Sequence, residues 1–93
     1  MMSLEAAADC GVTALAFLAE RPEDFLRFLS ATGAEIPEVR ARAQDPEFLG
    51  FVLDFVLAEE ELARGFCETA ERSPEDLAQA RAALPGGALP NWT

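Results

Sequence analysis

The sequence predicts an all-α single domain, a compact bundle of five to six short helices around a buried central helix at about 46–58. Three observations carry this expectation. Apolar residues recur with helical periodicity in successive stretches. Four prolines share one context, at Pro22-Glu23, Pro37-Glu38, Pro46-Glu47 and Pro74-Glu75, and no β-rich run appears anywhere. Proline suits the first helical position because its missing N–H would be unpaired there, and a first-turn glutamate complements the helix dipole. Asp45 before Pro46 and Ser73 before Pro74 are good N-cap residues, so all four sites read as helix starts.

The first helix is expected from about Ser3 to Ala19. Leu4, Ala8, Gly11, Val12, Leu15 and Leu18 form its apolar face, and Phe17 falls outside that stripe, which points to neighbours on two sides. The second, Pro22 to Thr32, turns Phe25, Leu26, Phe28 and Leu29 inward and ends at Gly33, a natural left-handed terminator. A short third helix, Pro37 to Ala43, offers Ile36, Val39 and Ala43. The fourth, Pro46 to about Ala58, is apolar around most of its circumference, and such a helix belongs in the core. Only a narrow stripe of Glu47, Gly50 and Asp54 relieves it. A fifth helix carries Leu62, Phe66 and Ala70 inward, and a sixth, Pro74 to Leu84, carries Leu77, Ala80 and Leu84. Glycines at 11, 50 and 65 cost about 1 kcal/mol each relative to alanine inside a helix, and close approach of another backbone is the usual reason for them. Residues 1–84 thus form the bundle, and 85–93 a Gly/Pro-containing C-terminal tail.

Composition limits the chemistry. Seventeen acidic residues face seven arginines in 93 residues, a net charge of −10. That charge repels the phosphates that supply most non-specific nucleic-acid affinity, and it disfavours anionic lipid surfaces. Neither nucleic acid nor a membrane is therefore expected as a partner. There is no His, Lys or Tyr, so the commonest general base and metal ligand are missing, as is any Schiff-base amine. Cys10 and Cys67 are too few for a disulfide scaffold or a thiolate–imidazole zinc site. No basic leader opens the chain, and Phe48–Leu57 is about half the length that spans a bilayer. A cytoplasmic protein without cofactor or metal is the expectation.

Four groups merit attention. Glu47 and Asp54 could serve as paired carboxylates for acid–base chemistry; the plainer alternatives are a solvated strip, or an Asp54 paired with Arg40, Arg42 or Arg81. Glu59, Glu60 and Glu61 could collect a cation, but consecutive helical residues point 100° apart and no calcium-loop pattern surrounds them. They read better as solvated charge that could meet a basic partner. Cys10 follows Asp9, whose charge would raise the thiol pKa. Trp92, the sole tryptophan, either folds back on the bundle, belongs to a disordered tail, or anchors a partner.

The segment from Thr32 to Ala43, with its Gly33-Ala34-Glu35-Ile36-Pro37-Glu38-Val39-Arg40, leads into Asp45-Pro46-Glu47-Phe48-Leu49 and Val52-Leu53-Asp54-Phe55. Ala14–Ala19 precedes it and Ala83-Leu84-Pro85-Gly86 follows. Over nearly its full length the chain resembles a family of short bacterial helical proteins catalogued as a domain of unknown function. The resemblance implies a compact helical domain and brings no catalytic residues to carry over. The functional expectation is a protein-interaction or regulatory module without catalytic activity, meeting a partner with a basic surface through Glu59, Glu60, Glu61 and Trp92. The alternative is a carboxylate-based enzyme or small-molecule binder using the Glu47/Asp54 stripe, the binder having an apolar pocket lined by the phenylalanines. The oligomeric state is left open.

Overall fold

The computed structural model describes residues 2–86, which form six helices: α1 (Leu4–Ala19), α2 (Pro22–Thr32), α3 (Ile36–Ala41), α4 (Pro46–Leu57), α5 (Glu60–Ala70) and α6 (Pro74–Ala83). The caps explain most of these boundaries. Asp45 Oδ1 accepts from the Glu47 amide at 3.1 Å, and Ser73 Oγ accepts from the Asp76 amide at 3.0 Å. Ser3 caps α1 in the same way through the Ala6 amide, at 3.0 Å. Three of the four prolines open their helices, while Pro37 is the second residue of α3. Gly33 ends α2 in the left-handed region at φ +74°, where a side chain would be strained. The end of α5 has no glycine: Glu71 takes the left-handed conformation itself, at φ +56°, as the Arg72 amide bonds back to the Cys67 carbonyl.

Helices α1 and α4 form the heart of the bundle. Gly11 makes this possible, since a Cβ placed there would stand 2.8 Å from Leu49 Cβ. The other helices close around this pair, and Phe28, Phe48 and Phe66 are among the largest fully buried side chains. Phe28 meets Phe48 and Phe55 edge-to-face at 5.8 and 5.5 Å, and Phe17 meets Phe66 likewise at 5.5 Å. Such pairs add attraction beyond simple burial, because the positive ring edge faces the negative ring face. Phe17 thus gives α1 its second neighbour, as its place outside the main stripe implied.

Two faces differ from the sequence reading. In α1 the buried residues are Ala7, Cys10, Gly11, Ala14, Leu15, Phe17 and Leu18, whereas Leu4 and Val12 are exposed. The face is rotated toward the small residues, because close helix packing needs short side chains at the contact. The second difference concerns α4. Phe48, Leu49, Gly50, Val52, Leu53 and Val56 are buried, so the helix is central. It is not buried all round: Phe51 is 45% exposed, Leu57 is exposed, and Phe55 is half-buried. Leu26 and Ile36, expected inward, also lie at the surface. No helix among the described residues is long and apolar enough to cross a membrane.

Candidate docking groove between the second and fourth helices

The outward side of α4 presents Phe51 and Phe55 one turn apart. Ala31 and Thr32 at the end of α2 face them across a groove of about 410 Å³, with Asp54 at its edge. Two bidentate arginine–carboxylate pairs frame this face. On one side Arg81 of α6 reaches Asp54, with Nε to Oδ1 at 2.5 Å and Nη2 to Oδ2 at 3.0 Å. On the other, Arg27 of α2 donates from both terminal nitrogens to the two oxygens of Glu59, and its guanidinium carbon lies 5.4 Å from the Phe55 ring centroid. The planar guanidinium fits both tasks, pairing with a carboxylate while lying over an aromatic face.

These contacts redistribute the candidate residues. Of the three arginines considered for Asp54, Arg81 is the partner, while Arg42 pairs with Asp45 at 3.1 Å. Both Asp54 oxygens are therefore occupied, and Glu47 does not line the groove beside it. The Glu59–Glu61 triplet divides. Glu59 precedes α5 and joins it to α2 through Arg27, whereas Glu60 and Glu61 point outward in the first turn. Among the described residues no group of three or more Cys, Asp or Glu is placed to hold a metal ion. Trp92 lies outside the described residues. The sequence allows an apolar pocket lined by phenylalanines but does not place it, because Phe51 and Phe55 read as core. One signal was available: α4 carries more large apolar side chains than its neighbours can cover.

Electrostatics reinforce the frame. Arg21 and Arg27 hydrogen-bond Asp24 and hold its carboxyl below its ordinary 3.8; Arg27 does the same for Glu59, ordinarily 4.5. In turn Glu59 and Asp24 hold Arg27 further into its charged form. A carboxyl depressed in the folded state favours folding above its ordinary pKa, and that contribution fades as pH falls through the depressed value. Arg27→Gln should therefore flatten the loss of stability on acidification from pH 5 to about 3. Denaturant midpoints measured across that range check it, and parallel profiles for variant and wild type would refute it. The thiols behave differently. Burial pushes Cys10 up, Arg72 opposes, and Asp76 adds to the rise; burial and then Asp76 raise Cys67. The rise expected at Cys10 is present, but burial drives it, not neighbouring Asp9.

A second groove, of about 460 Å³, runs between α5 and α6 with Cys67 among its lining residues. Arg64, Arg72, Glu60 and Glu68 surround it, so its charges oppose one another and select no single sign of ligand. No curated protein and no solved structure matches the chain. A model of proteins of unknown function, DUF3572, matches residues 4–87, and the chain belongs to that family.

Proposed function

We propose that this protein is a non-catalytic docking module that receives an apolar anchor of a partner protein in the α2–α4 groove. The observation that carries this reading is Phe51, 45% exposed on the central helix of the bundle and lining a groove with Phe55. An aromatic ring left at the surface beside a second ring, in a preformed groove, is the usual makeup of an interface anchor site. The non-catalytic part is supported by Asp54, whose carboxylate is committed to Arg81 on both oxygens. The charge of −10 favours a partner with a basic face and opposes nucleic acid, because the surrounding negative potential speeds encounter with cations. The cytoplasm is the setting we infer, in keeping with the free thiols of Cys10 and Cys67.

The test uses Phe51→Ala, which removes the anchor contact and leaves the buried face of α4 intact. Wild type and variant are immobilised and exposed to cytosol of the source cells. Any retained protein is then purified and titrated against both at low and high salt. The expected result is a loss of affinity of roughly tenfold or more for the variant, with association slowed by salt. A partner bound equally by both, or bound without regard to salt, would overturn the reading.

A further inference from the structure

The four charged residues that line the α5–α6 groove alternate in sign. Glu60, Arg64 and Glu68 follow one another at intervals of four along α5, and Arg72 comes four residues later, just past the left-handed turn at Glu71. Residues four apart lie on one helix face, so α5 carries a negative–positive–negative row that Arg72 completes. Neighbours at this spacing commonly pair within a helix, yet none of the four makes an ion pair with a described residue. Their charges sum to zero on a chain whose net charge is −10. The groove lining thus carries none of the acidic surplus that opposes self-association.

An alternating row of this kind is complementary to itself when reversed. Residue 66 is the midpoint between 60 and 72 and between 64 and 68. A second copy of α5 laid antiparallel across that midpoint sets Glu60 against Arg72 of the second copy, and Arg64 against Glu68 of the second copy. The two-fold axis repeats each pair, which gives four unlike contacts and closes the assembly at two chains. A parallel arrangement would set like charge on like. Ala63 and Cys67, one turn apart in the groove lining near the midpoint, are short enough to let two helices approach. Leu57, 38% exposed in the same lining, adds apolar surface to cover. We propose that the α5–α6 groove is the interface of an antiparallel dimer, its occupant a second copy of this chain. The repulsion between two such acidic chains acts over distance and is screened at physiological salt, where the Debye length is about 8 Å, while ion pairs in contact are closer than that. The α2–α4 groove has no lining residue in common with this face, so the inference stands apart from the docking reading.

Charge exchange tests the pairing. Sedimentation equilibrium of the full chain at about 0.15 M salt should show the mass moving from one chain toward two as concentration rises. Arg64→Glu sets acid against acid at two of the four contacts, and Glu68→Arg sets arginine against arginine there. Each variant alone should therefore dimerise roughly tenfold or more weakly than wild type. Mixed in equal amounts, the two should dimerise with each other, because every contact is then unlike again. The double variant Arg64→Glu/Glu68→Arg should recover by itself for the same reason. Recovery on mixing cannot come from chains that failed to fold, and far-UV circular dichroism of each variant checks that the helices persist. Wild type that keeps the mass of one chain at every concentration would overturn the proposal. So would a dimer that both exchanges leave intact, which would put the contact on another face, or weakened variants that do not recover on mixing. None of these outcomes bears on the partner titration with Phe51→Ala.

Discussion

Leu53→Ala is expected to lower the stability of this domain by about 2–5 kcal/mol, the range for truncating a buried leucine and leaving a cavity behind. Leu53 is fully buried on the inner face of α4, the helix that α1, α5 and α6 all pack against. With three neighbours converging on it, the site has little freedom to collapse, which favours the upper part of that range. Small domains possess roughly 5–15 kcal/mol in total, so the variant should lose a large share of it. Phe51→Ala removes a larger side chain from the same helix, yet it should cost far less, because Phe51 already faces solvent. Chemical denaturation of the two variants makes the comparison. Equal midpoints for Leu53→Ala and wild type would show that α4 is not central.

The helices were legible because their ends are written in local chemistry. Ser73 and Asp45 cap amides two or three residues away, and three of the four Pro-Glu pairs open their helices while the fourth lies one residue inside. The faces were less legible. In α1, a reading weighted by side-chain size selects Leu4 and Val12, while the structure buries Ala7, Cys10 and Ala14 instead. Small residues carry little apolar signal, yet they set how near two backbones come. In α4 the periodicity identified an apolar helix but not that Phe51 would stay exposed and Phe55 only half-buried. That depends on where α2 ends, since Ala31 and Thr32 at its last turn line the groove opposite Phe51 and Phe55.

The site was legible in part, for a related reason. Asp54 stood out as an acid on an apolar helix, and Arg81 was among its three candidate partners, but 27 residues separate them and only the packing of α6 on α4 chooses between the arginines. The Arg27–Glu59 pair, 32 residues apart, had no local signal, and Glu59 looked like one of three equivalent solvated charges. Its first-turn neighbours Glu60 and Glu61 remain outward. A triplet of identical residues thus hides a structural residue beside two that only add charge. Long-range pairing of this kind follows from the tertiary arrangement and leaves no periodic trace.

Glycine substitutions separate packing from propensity. Gly11→Leu should destabilise the domain by about 1–3 kcal/mol, because overfilling a packed contact forces side chains and backbone apart. The obstacle is rigid: a new Cβ would meet Leu49 Cβ at 2.8 Å and its Cγ and Cδ2 at 3.4 Å, and a Cβ cannot swing aside as the tip of a long side chain can. Relief requires α1 to move off α4, which loosens the contacts of Ala7, Cys10 and Ala14 as well. Gly65→Ala provides the opposite case. Its Cβ would meet only Phe17 Cζ, at 3.6 Å, an ordinary contact, so close approach does not explain that glycine. The gain of up to about 1 kcal/mol from helix propensity should then appear as added stability. Thermal unfolding of Gly11→Leu, Gly11→Ala and Gly65→Ala decides the matter. The two alanine variants gain the same propensity, so their difference isolates the collision with Leu49. If Gly11→Ala stabilised the domain as much as Gly65→Ala, α1 and α4 would not meet at backbone distance, and the packing at the centre of the bundle would have to be redrawn.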